Sequence, residues 1–223
     1  MPTALIIGAS RGIGHEFVRQ YRADGWRVVA TCRKPADLDG IKALGAEPHL
    51  LDVTDNDAVV ALSKALAHDA FDTLVINAGI FPEGDADPAH LDELAFLDGM
   101  RTNVLGPMRV AGLFGPLMAP NGTVGVLSSK MGSVSLMAGS NALFYRTSKA
   151  AVNMVVKSYA NAWRERSVRA IALHPGWVQT DMGGSNADID VATSVRGLRA
   201  VLAAGGMERS GGYFDYAGNA LPW

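Results

Sequence analysis

Among 223 residues there is a single cysteine, Cys32. That alone excludes an intrachain disulfide, so the fold must be held by its own core. Such usage fits a reducing compartment, and a cytoplasmic location is expected. Long hydrophobic runs are also missing. No stretch approaches the roughly 20 apolar residues that cross a bilayer. "ALIIGAS" near the start lacks a basic flank and breaks at Gly8, unlike a signal peptide. An excess of one charge is lacking as well. Twenty Lys and Arg against 22 Asp and Glu leave a net charge of -2, which argues against nucleic acid as a partner. Arg164, Arg166 and Arg169 do cluster, but at the end of an expected helix, where cations offset the macrodipole. The five histidines, His15, His49, His68, His90 and His174, show no close ligand spacing, so no metal site is expected and a zinc-dependent dehydrogenase is disfavoured. A hydrolase is disfavoured too, because no G-x-S-x-G elbow is present.

What the chain does have is 48% hydrophobic residues, arranged in short apolar runs that alternate with longer amphipathic ones. Strands are expected at "TALIIGA", "RVVATC", "EPHLLDV", "FDTLVINAG", "NGTVGVLSS", "VRAIALHPG" and "GGYFDY". Helices are expected from about 12 to 24, within "PADLDGIKALG", over "DNDAVVALSKALAHD", at about 88–99 and 101–118, over "FYRTSKAAVNMVVKSYANAWRER" and at 190–204. The strands are almost continuously apolar, as they must be when both faces of a sheet are covered. Strand and helix in alternation imply parallel pairing through right-handed crossovers. The expectation is one α/β domain over residues 1–223, doubly wound in the Rossmann manner, with a mostly parallel sheet of about seven strands.

In such a sheet the ligand crevice lies beyond the carboxyl ends of the strands. "LIIGASRGIGHEF" places Gly8, Gly12 and Gly14 between the first strand and its helix, where glycine lets the backbone approach a phosphate and a helix N-terminus meets it. The whole turn, Gly8, Ser10, Arg11, Gly12, Ile13 and Gly14, is therefore assigned to a dinucleotide. The second strand ends at Cys32 and is followed by Arg33, where an acidic residue would select NAD. Arg33, with Arg11, can instead receive the 2′-phosphate of NADP, so NADP is expected over NAD. Asn77, Ala78 and Gly79 end the fourth strand, Ser128 and Ser129 the fifth, Pro175 and Gly176 the sixth. Tyr145 and Lys149 lie one helical turn apart on the helix after the fifth strand, so they share a face that can look into the crevice.

Gly8-x-x-x-Gly12-x-Gly14, Asn77-Ala78-Gly79, Ser129, Tyr145-x-x-x-Lys149 and Pro175-Gly176 together resemble the short-chain dehydrogenase/reductase family, in its order and across most of the chain. "YRTSKAAVN", "HPGWVQTDMGG" and "GGYFDYAGNALPW" resemble more narrowly the small C-factor-like carbonyl reductases. One departure is Ile7, where the family often has threonine. The resemblance implies NADP-dependent reduction of a small carbonyl compound, reversible as alcohol oxidation. The chemistry suits the residue types. A reduced carbonyl oxygen must take a proton, and a phenol of pKa near ~10 can give one. A lysine cation beside it would lower that pKa and favour the phenolate. Tyr145 is assigned as proton donor and acceptor. Lys149 tunes it and, as the family implies, binds the nicotinamide ribose. Ser129, rather than Ser128, holds the substrate oxygen.

The resemblance further implies that Asn103 holds a water in a proton relay with the lysine. Asn77 lines the adenosine side, while Pro175, Gly176, Val178 and Thr180 lie toward the nicotinamide. Asp52, with Val53, either contacts adenine or caps the following helix, and Thr180 has a turn-capping alternative. Met131, Met137, Phe144, Trp177 and Met182 are candidates for an apolar substrate pocket or for plain core. Segment 183–193 reads equally as a lid or a connecting loop. Family members often form dimers or tetramers through the helices flanking the fourth and fifth strands. The rival reading is a dinucleotide-binding regulator of the same fold, which would have no use for a tunable phenol.

Overall fold

The computed structural model describes residues 1–85, 87 and 89–223. In chain order the elements are β1 (Thr3–Ile7), α1 (Gly12–Ala23), β2 (Arg27–Cys32), α2 (Leu38–Ala43), β3 (Glu47–Leu50), α3 (Asn56–Ala65) and β4 (Phe71–Ile76). There follow α4 (Glu93–Met100), α5 (Gly106–Phe114), β5 (Met118–Leu127), α6 (Leu143–Ala162), β6 (Arg169–His174), α7 (Val191–Ala203) and β7 (Tyr213–Asp215). The seven strands form one sheet in the order β3-β2-β1-β4-β5-β6-β7, and every pairing is parallel. The chain winds outward from β1 to β3, then returns to β4 on the other side of β1. The reversal puts a crevice at the carboxyl ends of β1 and β4.

Both faces of the sheet are packed, which explains the uninterrupted apolar strands. Leu5 and Ile7 of β1 point into a core with Phe71, Leu74, Val110, Phe114 and Val152, under α3, α5 and α6. Ala4 and Ile6 point the other way, into a core with Phe17, Ile41, Leu198 and Leu202, under α1, α2 and α7. Each large side chain buried in this way contributes roughly 1.5–3 kcal/mol.

Three boundaries differ from the sequence reading. α4 starts at Glu93, where Asp92 caps it by accepting from the Ala95 N–H. Residue 88, where the spacing starts that helix, lies outside the described residues. α4 and α5 are not separate stretches either, but are joined through a π-helical turn over Arg101–Leu105. Thirdly, Arg169 is not at the end of α6. It lies within β6, and its buried guanidinium donates to the carbonyls of Leu202, in the last turn of α7, and of Ala204 and Gly205 just beyond it. Arg166 likewise donates to Gly115 and Pro116 beyond α5. The cations do cap helix ends, but those of other helices.

Candidate active site

The glycine turn forms because the chain must leave β1 and start α1 within a few residues. Gly12 holds φ at +55°, a conformation that costs a side chain strain. Gly14 is a matter of space: a Cβ there would lie 2.0 Å from the Gly8 carbonyl oxygen and 2.7 Å from Asn77 Nδ2. Asn77 in turn donates to the Gly8 carbonyl at 2.6 Å, locking the end of β4 to the turn. No side chain caps α1 and nothing acidic occupies its first turn. Its N–H groups and positive end are thus left to a ligand, and a dinucleotide pyrophosphate fits that cradle.

Of the two arginines expected at the 2′-phosphate, Arg11 is engaged by Asp181 across the cleft. Arg33 is exposed, and no carboxylate among the described residues lies within ion-pair distance of it. Asp52 lies close enough to Arg33 to respond to its charge. Burial works against the Asp52 carboxylate, but hydrogen bonds from Thr54 and the charges of Arg33 and Arg101 outweigh it and hold its pKa below the usual range. The capping alternative for Asp52 is overturned. Asp55 caps α3, accepting from the Asp57 and Ala58 N–H groups, while Asp52 accepts from Thr54. Val53 is buried against Gly106 of α5.

Tyr145 and Lys149 face inward from α6, 8% and 5% exposed. The Lys149 ammonium lies 5.5 Å from the Tyr145 ring centre and donates to the Leu127 carbonyl at 2.9 Å. Gly79 sits beside it, and a Cβ there would crowd Asn103 Oδ1 at 3.2 Å while touching Lys149 Nζ at an ordinary 3.6 Å. The expected acidification of the phenol is corrected by this environment. Burial pushes the Tyr145 pKa up to about 12, against a hydrogen-bonding pull from Ser129. Burial also brings Lys149 down to about 8. Desolvation, which the spacing does not reveal, sets the direction for both groups.

Ser129 accepts from the Met131 N–H at 3.2 Å, capping a 3₁₀ turn over Lys130–Gly132, and its own O–H is a donor beside Tyr145. Ser128 donates at 2.6 Å to Asn153 Oδ1 inside the core. Asn153 also donates to the Gly132 carbonyl at 3.3 Å, so it grips the Ser129 turn on both sides. Asn103 lies in the π-helical turn, 1% exposed. Its side chain is fully engaged: Oδ1 accepts from Ile80 N–H, while Nδ2 donates to the Ile80 carbonyl and to Ser148. Its amide therefore pins the end of β4 to α6 rather than reaching for solvent.

Two cavities open along the carboxyl edge of the sheet. The smaller, about 390 Å³, takes in Arg11, Gly12, Ile13, Asn77, Gly79 and Lys149. The larger, about 690 Å³, takes in Ser129, Gly176 and Val178. Ile13, Ser128, Tyr145, Pro175, Thr180 and Met182 belong to both. Gly8, Ser10, Gly14, Arg33, Asp52, Val53, Ala78 and Asn103 stand outside these walls. Thr180 is a turn cap, bonded to Val178 and Gly183, and still lines the cleft. Met131, Trp177 and Met182 line the larger cavity, whereas Phe144 packs edge-on against Phe96 and Met137 is exposed. The 183–193 segment is tied down. Gln179 N–H bonds Ile189, Ile189 N–H bonds Trp177, and α7 has begun by Val191.

Several contributors escape the sequence reading. Phe81 packs against Tyr145 at a 31° tilt, with ring centres 4.6 Å apart. Asp181 faces Arg11, and His174, Lys130 and Arg146 line the larger cavity. Asn153 had a signal, since it continues the four-residue spacing of Tyr145 and Lys149 along one face of α6. Among the described residues no cluster of His, Cys, Asp or Glu could hold a metal ion, and no helix is long and apolar enough to cross a membrane.

The model of the short chain dehydrogenase family matches residues 2–189. The chain is 39% identical over 157 residues to C-signal of Myxococcus xanthus, covering 68% of this chain and 92% of that protein. It is 31% identical to 1-hydroxy-2-glutathionyl-2-methyl-3-butene dehydrogenase of a Rhodococcus species, over the whole of both chains. Its structure matches the NADPH-bound carbonyl reductase from chicken fatty liver with a TM-score of 0.90 at 29% identity, covering 100% of this chain and 99% of that one.

Proposed function

The chain belongs to the short-chain dehydrogenase family, and from that premise we propose that it is an NADP(H)-dependent carbonyl reductase, reversible as an alcohol dehydrogenase, that acts on small molecules in a reducing cytoplasm. One observation carries the reading: Tyr145 is common to both cavities, with Lys149 on the smaller side and Ser129 on the larger. When bound in the smaller cavity, the dinucleotide supplies the hydride. The first turn of α1 with Gly12 and Ile13 would hold its pyrophosphate, Asn77 its adenosine side, Lys149 its nicotinamide ribose and Thr180 its nicotinamide end.

In the larger cavity Ser129 donates its O–H to the substrate oxygen and steadies the charge that develops there. Tyr145 is protonated at neutral pH because burial holds its pKa near about 12, so it is poised to give a proton. An alkoxide is a stronger base than a phenolate, so reduction needs no acidified tyrosine. Oxidation does, and Lys149 then acts as the cation that balances the phenolate. Charge on Lys149 is lost as pH rises past about 8. Exposed Leu94 and Leu97 on α4, Met108 on α5 and Met154 on α6 support assembly through the helices flanking β4 and β5.

The test is Tyr145→Phe assayed by NADPH oxidation with a panel of aldehydes and ketones. Turnover should fall by about 10²–10⁴-fold while NADPH still binds. Undiminished turnover would remove Tyr145 from its role. A second reading, a dinucleotide-binding regulator, draws on the similarity to C-signal. It would be favoured if the unaltered protein binds NADPH yet reduces nothing across that panel.

A further inference from the structure

The larger cavity carries a charge pattern that hydride transfer does not use. Each residue assigned to the substrate oxygen is followed directly by a cation lining the same cavity, Lys130 after Ser129 and Arg146 after Tyr145. Lys130 opens the 3₁₀ turn that Ser129 caps, and its charge is felt by His174. Arg146 is half-buried. Its Nε donates to the Asn141 carbonyl at 2.7 Å and its Nη2 to Asn141 Oδ1 at 3.1 Å, so one edge of the guanidinium is held in place while Nη1 is left over. Among the described residues neither cation has a carboxylate within ion-pair distance. The one acidic residue in the cavity wall is the exposed Asp188, from the loop ahead of α7. Met131, Trp177, Met182 and Ile189 make much of the remaining wall apolar.

Two unpaired cations in one cavity repel each other and raise the local concentration of anions. A guanidinium held along one edge has lost part of its freedom already, and loses less on binding a carboxylate. The geometry points to a carbonyl substrate that bears an anionic group, a carboxylate or its equivalent. Lys130 and Arg146 bind that group while the carbonyl meets Ser129 and Tyr145 and the apolar body lies against Trp177 and Met182. This inference rests on the reductase reading, and adds the substrate's charge to it.

The experiment compares 4-formylbenzoate with its neutral methyl ester, in the unaltered protein and in Lys130→Met, Arg146→Met and the double variant. The readout is the ratio of kcat/KM for acid over ester, which a loss of folded protein leaves unmoved. The ratio should be at least about fivefold in the unaltered protein, as for a charge-assisted contact in a site where Lys130 is exposed and Arg146 half-buried. It should fall toward one in the double variant and shrink as salt is added. Reduction of both compounds at a ratio near one, or a ratio the substitutions do not move, overturns the inference and leaves the reductase reading standing. If neither compound is reduced, the wider aldehyde and ketone panel decides the reductase reading. The dissociation constants of the matching benzyl alcohols, acid against ester, then decide the inference. Tighter binding of the acid that is lost in the double variant upholds it, and equal binding overturns it.

Discussion

At the scale of single residues the two arginines near the cofactor cleft part company. Arg11 is paired with Asp181, so a 2′-phosphate must compete with a carboxylate for it. Arg33 has no such competitor within ion-pair distance among the described residues, and it stands past the end of β2 where cofactor choice is made. If Arg33 reads the 2′-phosphate, a charged hydrogen bond of roughly 1.5–3 kcal/mol would depend on it. Arg33→Asp should therefore weaken NADPH binding by about 10–100-fold while affecting NADH far less. Titration of the nicotinamide fluorescence measures both constants, and equal losses for the two cofactors would show that Arg33 does not read the 2′-phosphate. Both arginines were legible in the sequence as neighbours of the glycine turn. Asp181 was not, because its meeting with Arg11 depends on how the loop after β6 folds over the cleft.

At the scale of elements the glycine turn holds two glycines that act for different reasons. Gly12→Ala meets only the Thr180 methyl, at 3.4 Å, and mainly bears the strain of φ +55°. That strain is of order 1 kcal/mol or more, and the change should reduce cofactor affinity while the protein still folds. Gly14→Ala drives a Cβ to 2.0 Å from the Gly8 carbonyl oxygen, which is backbone and cannot rotate away. It should separate β1 from α1, lower the urea midpoint markedly and abolish NADPH binding. Equal midpoints for the two variants would refute the distinction. Elements whose signal is local were readable: β2 runs over Arg27–Cys32 as the apolar run implies, and Asp190 caps α7 at the expected start. The π-helical turn was not readable, because it is imposed by Asn103 bonding to Ile80 across 23 positions of sequence. The Tyr145 pKa escaped for the same reason. Spacing shows the lysine neighbour, but the burial that raises the phenol's pKa is created by the whole fold.

At the scale of the whole molecule the parallel sheet gathers polar groups at one edge and buries them there, and this should shape stability against pH. His174, at the end of β6, accepts from the Lys130 N–H at Nδ1 and is held at a pKa of about 4. Burial is the main cause, and Lys130 adds to it while Asp215 opposes it. Lys149, at about 8, is likewise a base whose pKa is lowered by burial. In each case the folded state binds fewer protons than the unfolded chain between the lowered and the ordinary value, so stability rises with pH across that window. For His174 the window runs from about 4 up to about 6.5, the ordinary histidine value. Acidification through it should cost the unaltered protein more than His174→Gln, whose amide oxygen can still accept from Lys130 but takes no proton. Thermal midpoints measured from pH 7 down to pH 4 should converge or cross as the unaltered protein loses its advantage. Parallel curves over the whole range would mean that His174 is not held neutral by the fold.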